Sequence, residues 1–508
     1  MNEPGGANGA VVAPRAEVCE THTAVVLFLG DHVYKLKKPV DLGFVDYTTV
    51  SARRAACERE IDLNRRFAPD VYLGLGELRS PDAQTPEPAV VMRRLPANRR
   101  LSRLVRENVP VTEALRSLAR LLATRHAEAP RRPEVDRQGT RDALRSRWSA
   151  NLARFRAAAG DELLHGDVDE IERLVGRYLA GREALFARRI KQGRVVDGHG
   201  DLLADDVFCL DDGPRVLDCL EFDDDLRRLD GLDDAAFLAM DLEQLGAPHA
   251  AMYFLDQYAE CSGDPAPPSL WHHYVAYRAF VRAEVSLIQA RQGAAGAEAA
   301  SQRLVSAALC HLRTAAVRLT LVGGLPGSGK STLAGALADR LGATLLSSDR
   351  LRKELAGLPA ETAAAAGYRK GLYTSEWTAR TYALLLDRAA ALLRHGESVV
   401  LDATWCDSGQ RAAAAGVAVQ ASADLVPLRC SVPSAVAATR LETRGPGASD
   451  AGPAVAAAMA ADEAPWPEAV PIDTGGDLET AVEQALVSIH PPATSLAQPF
   501  RRPRREPG

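Results

Sequence analysis

The sequence predicts two folded regions of different class: an α+β region with an antiparallel sheet and a helical lobe, then an α/β region with a parallel sheet. Three observations predict this. The β-like runs Ala24–Leu29 and His32–Leu36 flank a Gly30-Asp31 turn, a hairpin signal. Residues 100–190 and 232–315 carry apolar residues every three or four positions, as at Leu115, Leu118, Leu121 and Leu122. From Val317 onward, short apolar runs alternate with helical segments, the order of βαβ units.

A chain of 508 residues is long enough for two to four domains at roughly 100–200 residues each. We divide it into a disordered N-terminus (1–16), an α+β domain (17–315), an α/β domain (316–490) and a disordered basic tail (491–508) carrying Arg501, Arg502, Arg504 and Arg505. A formal net charge of −6 excludes a chain built mainly to coat nucleic acid. The 8 cysteines form no C-x-x-C pair, which argues against zinc and suits reduced thiols. Residues 1–14 lack an apolar signal core, and no uncharged apolar stretch approaches a membrane span. A cytoplasmic protein without a membrane partner is therefore expected.

Along the first region, Ser51–Phe67 has helical spacing and stops before Pro69. Residues 195–222 return to β-like runs broken by Asp-Gly turns. Cys261–Ser269 reads as a polar loop between helices. In the second region Leu319–Val322 reads as a buried strand, with further strands at Thr344–Ser347, Ser398–Leu401, Leu425–Cys430 and Val470–Ile472.

Gly324-Leu325-Pro326-Gly327-Ser328-Gly329-Lys330-Ser331-Thr332 fits G-x-x-x-x-G-K-[ST] between a strand and a helix, the context that defines a phosphate-binding loop. Gly324, Gly327 and Gly329 let main-chain N–H groups converge on phosphate oxygens, and the helix N-terminus adds positive potential. Lys330 then faces the β- and γ-phosphates, and the Ser331 hydroxyl is placed for Mg2+. The expected ligand is ATP with Mg2+. Asp402 ends the run Ser398–Leu401 and suits the metal through water; Asp349 follows Leu345–Ser348 and could take a proton from an attacking hydroxyl. A turn or a helix cap is the competing reading of either aspartate. Arg440 and Arg444 lie four residues apart on one predicted helix face and could close over a transferring phosphoryl group; a solvated helix face is the alternative.

These motifs, with Ser348-Asp349, Leu401-Asp402-Ala403-Thr404 and Arg440–Arg444, make residues 317–475 resemble the small P-loop kinases, the group of gluconate kinase, polynucleotide kinase domains and zeta toxins. The resemblance implies transfer of the ATP γ-phosphate to a small hydroxyl-bearing acceptor, with Asp349 as base or substrate anchor.

In the first region, Asp197-Gly198-His199-Gly200-Asp201 precedes the run Val207–Leu210, and a turn leads to Arg215–Asp223. Carboxylates at the ends of two joined strands suit a base, Asp201, and Mg2+ ligands, Asp218 and Asp206. His199 could pin the loop by hydrogen bonding. Asp223, Asp224 and Asp225 read as solvated surface. This pattern resembles the aminoglycoside phosphotransferase and choline kinase branch of the bilobal protein-kinase-like fold, with Asp206 in place of the asparagine in H-x-D-x-x-x-x-N. The resemblance implies that Lys35 contacts ATP phosphates, that Glu60 pairs with it (Glu58 being the competing choice), and that Met92 falls at the adenine hinge. The flap Glu20-Thr21-His22-Thr23-Ala24 has no glycine, so its grip on phosphates must be weaker or use hydroxyls. The order of the two parts resembles a bacterial fusion family with an aminoglycoside phosphotransferase-like domain followed by an AAA-type ATPase or kinase domain. Three readings stand: a phosphotransferase working at the C-terminal site, a nucleotide-sensing regulatory ATPase, and a nucleic-acid end kinase resting on the basic tail. The sequence calls for no specific protein partner.

Overall fold

A computed structural model describes residues 17–489 except 22, 42, 44, 80–84, 160–164, 360–361, 363–368 and 444–451. The basic tail and the first 16 residues lie outside the described residues. The chain divides into two compact units: residues 1–139 with 193–264, and residues 140–192 with 265–508. This division does not follow the 315/316 boundary read from sequence, because the helical segments 140–192 and 265–315 cluster with the parallel sheet. No described helix is long and apolar enough to cross a membrane.

The first unit is built on a five-stranded antiparallel sheet ordered β1-β2-β3-β5-β4, from β1 (Glu17–Glu20), β2 (Ala24–Leu29), β3 (His32–Lys37), β4 (Tyr72–Leu78) and β5 (Glu87–Arg93). The helix Val50–Asn64 starts where the Thr49 side chain accepts the Ala52 N–H, relieving one unpaired donor of the first turn. Its Cys57 and Ile61 pack on Val33, Val90, Met92 and Tyr72 of the sheet. Strand alternation puts Lys35 and Lys37 on the same face as buried Val33, so both ammonium groups need partners beneath the sheet. Two short antiparallel ribbons follow, β6 (Val195–Asp197) with β9 (Arg228–Asp230) and β7 (Val207–Leu210) with β8 (Gly213–Val216). Helices Thr112–Glu128, Gly231–Gln244 and Pro248–Ser262 pack on one another beside them. The expected strand Arg215–Asp223 is thus cut short at Val216: Asp218 has φ 62°, which a strand cannot hold.

The second unit holds a five-stranded parallel sheet ordered β11-β12-β10-β13-β14, from β10 (Arg318–Gly323), β11 (Thr344–Ser347), β12 (Val399–Asp402), β13 (Asp424–Ser431) and β14 (Val470–Asp473). All five expected strands are present. The apolar side chains of β10, β12 and β13 pack with Leu333 and Leu337 of the helix Lys330–Leu341 and with Ala481, Val482 and Ala485 of the last helix, Leu478–Ile489. Helices Arg141–Ala159, His165–Ala180, Glu183–Lys191, Pro268–Arg291 and Ala297–Ala315 belong to the same unit. Trp148 is buried among Tyr277, Phe280 and His273.

Direct bonds fasten these helical segments to β13 and to the turns that precede β12 and β13. The Arg182 guanidinium donates to Ala421 O at 2.7 Å, Arg177 pairs with Asp424 at 2.7 Å, and the Ser269 hydroxyl donates to Gly396 O at 2.7 Å. Gly181 makes the approach possible, since a β-carbon there would stand 2.1 Å from Ala421 O. Gly181→Ala should therefore force the backbones apart and destabilise this unit by about 1–3 kcal/mol. Denaturant unfolding followed by tryptophan fluorescence checks this, because Trp148, Trp271, Trp377, Trp405 and Trp466 all lie in the second unit. An unchanged midpoint contradicts the close-packing reading.

Candidate active site

The phosphate loop runs from the end of β10 to the helix Lys330–Leu341. Gly324, Gly327 and Gly329 take φ values of 139°, 83° and 82°, conformations in which a side chain would be strained. Space enforces the same choice. A β-carbon on Gly324 would lie 2.6 Å from Ser328 Oγ and 2.9 Å from Cys430 O, and one on Gly327 would lie 2.6 Å from Ala437 O. The loop is held from outside as well: Thr474 Oγ1 donates to Ser328 O at 2.5 Å, and Arg440 donates to Thr474 O at 2.8 Å. Lys330 is buried at the start of the helix, whereas Ser331 and Thr332 are exposed in its first turn. Ser328 is buried with no hydrogen-bond partner for its hydroxyl among the described residues.

Parallel register brings the acidic residues alongside. Asp402 pairs with Val322 on one side and Ser347 on the other, so it stands between the phosphate loop and the end of β11. It is 5 % exposed. The Ser331 and Ser347 hydroxyls beside it act to lower its pKa, and its Oδ1 has no hydrogen-bond partner among the described residues. Burial raises its pKa, the nearby Asp349 charge adds to the rise, and Lys330 opposes it. Asp349 does not close a strand; it is the second residue of the helix Ser348–Leu355, half-buried, while the cap position belongs to Ser347. Ser347 makes no side-chain capping bond. Arg440 sits in the helix Ser434–Glu442 beside Gly329. That helix ends before position 444, and Arg444 lies outside the described residues, so the expected arginine pair does not share a described helix.

Sequence reasoning missed three neighbours. Arg352, one turn past Asp349, is buried with its guanidinium 4.6 Å from the Tyr373 ring and its Nε unpartnered. Its spacing from Asp349 was the available signal. Trp405, with φ 55°, and Trp466 crowd Gly323, where a β-carbon would meet Trp466 at 2.4 Å. The Tyr382 hydroxyl fixes this wall, accepting from Trp405 N and lying 3.3 Å from Thr404 Oγ1.

The first unit gathers its own charges. Lys35 Nζ lies 2.9 Å from Glu60 Oε1 and 2.5 Å from Asp218 Oδ1. Glu60 is fully buried and Glu58 exposed, which settles the partner of Lys35. Burial pulls the Lys35 pKa down, but Asp218 and Glu60 outweigh it and hold it well above its ordinary value. The Lys35 charge is also what lowers Asp218. Lys37, which the sequence reading passed over, bridges Glu60 at 2.6 Å and Glu221 at 2.5 Å. Burial, with the charges of Asp218 and Asp201, raises the pKa of Asp206 well above its ordinary value. Among the described residues, no three His, Cys, Asp or Glu side chains are gathered as a ready metal site. Met92, expected at the adenine hinge, is the penultimate residue of β5, with its side chain in the sheet–helix core. In the flap, the Thr21 hydroxyl already accepts Ala24 N–H, and His22 lies outside the described residues.

His199 is fully buried and holds Leu217 O at 2.9 Å through Nε2, the pinning role expected of it. The residue that fixes the loop was not foreseen. Buried Asp234 accepts the N–H groups of His199 at 2.7 Å and Gly200 at 2.9 Å and lies 3.1 Å from His126 Nε2. Burial alone would raise its pKa, but the His126 hydrogen bond and the charges of His126 and His199 hold it well below the usual carboxylate range. A depressed folded value means that this stability is fully present above pH ~4 and is lost as pH falls through the folded value. Asp234→Asn should therefore cost about 1.5–3 kcal/mol near neutral pH, with a difference from the native chain that shrinks below pH ~4. Urea unfolding followed by circular dichroism across that range checks it; a pH-independent difference contradicts the charge assignment.

Residues 319–464 match the AAA domain family AAA_33. A gluconokinase from Sinorhizobium meliloti 1021 is similar in structure at 19 % identity, with a TM-score of 0.26 over 34 % of this chain and 91 % of that one. A choline/ethanolamine kinase family protein from Mesorhizobium loti is similar at 16 % identity, with a TM-score of 0.37 over 60 % of this chain and 94 % of that one. The uncharacterized protein Rv2004c of Mycobacterium tuberculosis H37Rv is 46 % identical over 473 residues, covering 93 % of this chain and 95 % of that protein. The uncharacterized protein Mb2027c of Mycobacterium bovis matches to the same extent. With that identity over nearly its whole length, the chain belongs to the family of these mycobacterial proteins, and its C-terminal part carries an AAA domain.

Proposed function

We propose that this protein is an ATP-dependent phosphotransferase whose C-terminal site moves the γ-phosphate of ATP to a small hydroxyl-bearing acceptor. One observation carries the reading: strand register sets the phosphate loop, Asp402 and the Asp349 helix side by side at the carboxyl ends of β10, β12 and β11. Such an edge is where open parallel sheets bind ligands. The loop amides and Lys330 meet the polyphosphate. The Ser331 hydroxyl and the unpartnered Oδ1 of Asp402 are the oxygen donors that fit Mg2+, which when bound would offset charge on the β- and γ-oxygens. Asp349 accepts the acceptor's hydroxyl proton as the new oxygen–phosphorus bond forms. The bond from phosphorus to the β-bridging oxygen breaks, and ADP leaves. Arg440, tethered to Thr474 beside Gly329, sets a guanidinium next to the loop, where it would meet that charge.

A second reading is a nucleotide-sensing ATPase whose first unit binds a ligand without turnover. The Lys35–Asp218 ion pair favours it, since it joins the lysine meant for phosphates to the aspartate meant for metal. ADP release with a panel of hydroxylated metabolites separates the readings. Asp349→Asn should lower acceptor-dependent turnover by about 10²–10⁴-fold, while Asp201→Asn leaves it intact. Loss of turnover only in Asp201→Asn would move the chemistry to the first unit. Tight ATP binding without acceptor-dependent release would favour the sensor.

A further inference from the structure

Gly323, the last residue of β10, is walled by two indoles. A β-carbon there would meet Trp466 at 2.4 Å and Trp405 at 3.2 Å. The next residue, Gly324, opens the phosphate loop, and its N–H donates to Thr404 O at 3.2 Å. The turn that follows β12 therefore supplies both a ring and a carbonyl to the entrance of the loop. Trp405 has φ 55°, a conformation that a bulky residue keeps only where its neighbours hold it. A side chain outside the proposed chemistry, Arg411, grips this turn.

Arg411 is half-buried in the first turns of the helix Ser408–Gln420, which Asp407 caps by accepting the Gln410 N–H at 2.8 Å. Its Nη1 donates to Trp405 O at 2.9 Å and to Ala464 O at 3.3 Å, and its Nη2 donates to Pro465 O at 2.7 Å. The same guanidinium lies 5.3 Å from the Trp466 ring. The backbone repeats the link, since Ala464 N–H donates to Cys406 O at 3.0 Å. One planar group thus joins two separate stretches, the turn after β12 and residues 464–466, and both stretches reach Gly323. Arg411 forms no ion pair among the described residues; Glu463, the acid preceding Ala464, pairs with Arg429 at 2.9 Å. Its donors go to neutral carbonyls, so the position uses the rigid spread of the guanidinium, which a single ammonium cannot copy.

We infer that Arg411 is a positioning residue for the phosphate loop. By clamping the turn after β12 to residues 464–466, it fixes the Thr404 carbonyl at Gly324 and the two indoles at Gly323, so that the loop amides are set before a nucleotide arrives. The inference rests on the reading of this loop as the ATP site. Donors fixed in advance spare the ligand the entropy of ordering them, so the clamp acts on affinity.

The test compares the full native chain with Arg411→Met, which keeps an apolar stem and removes every donor. Hydrogen exchange followed by mass spectrometry should be faster around Gly324 in the variant, because the Thr404 carbonyl is no longer held. Calorimetric titration with Mg-ATP, at a temperature where circular dichroism shows the variant folded, should give a Kd raised about tenfold. Gly181→Ala loosens the same unit elsewhere and should leave both readouts unchanged. Native-like exchange or native-like affinity in folded Arg411→Met overturns the inference, and so does equal weakening by Gly181→Ala, which would trace the effect to stability alone. If Arg411→Met does not fold, Arg411→Lys is measured instead. At least about threefold weaker binding is then expected, since one ammonium cannot replace the fork, and native affinity overturns the inference. A native chain that binds no Mg-ATP overturns the ATP reading and this inference with it, whereas native binding left unaltered by the Arg411 variants overturns the inference alone.

Discussion

A polyphosphate carries several negative charges in a small volume, and a chain can meet them with main-chain amides only where it has no β-carbons in the way. The loop after β10 is built on that constraint. Its glycines take φ values of 139°, 83° and 82°, and at two of them a methyl group would run into backbone carbonyls of Cys430 and Ala437. The surrounding structure depends on this geometry. Thr474 reaches across from the end of β14 to hold Ser328, Arg440 holds Thr474, and the helix Ser434–Glu442 packs directly on Gly327. The parallel sheet then sets Asp402 and Asp349 within reach of whatever the loop grips.

Both units hold buried charge. In the first, Lys35 and Lys37 are joined to Glu60, Asp218 and Glu221 in one linked set of ion pairs. Among the described residues, buried side-chain atoms without a hydrogen-bond partner occur in both units: His199 Nδ1 in the first, and Ser328 Oγ, Asp402 Oδ1, Arg352 Nε and the Nε and Nη2 of Arg182 in the second. Buried groups are normally satisfied, so unsatisfied ones near a site point to what the site is made to receive.

Much of this was legible in the sequence, and the rest was hidden for physical reasons. The phosphate loop could be read because its glycines, lysine and serine are adjacent and only one backbone path satisfies them. The parallel strands were visible as short apolar runs, since strands buried on both faces lack polar alternation. Glu60 could not be separated from Glu58 until burial was known, although it shares a helix face with Cys57 and Asn64. Asp234 was invisible because it lies in an apolar helix 35 residues from the loop it fixes and looks like a local capping acid. Arg182 was equally hidden, since a buried arginine and a surface arginine look alike in a helical, arginine-rich stretch. Asp349 was placed one element too early because the strand gives way to the helix at Ser348 with no turn between them. Assignment of the helices 140–192 and 265–315 to a compact unit depends on which neighbours they meet, information that no local pattern carries.

The most direct measurement is an equilibrium titration of the intact chain with Mg-ATP, followed by tryptophan fluorescence. Every tryptophan belongs to the second unit, and Trp405 and Trp466 crowd the start of the phosphate loop. A saturable change in the native chain that disappears in Gly327→Ala, with the sheet still folded by circular dichroism, is the predicted result. An unaltered titration in that variant would contradict the idea that main-chain amides at this loop hold the nucleotide.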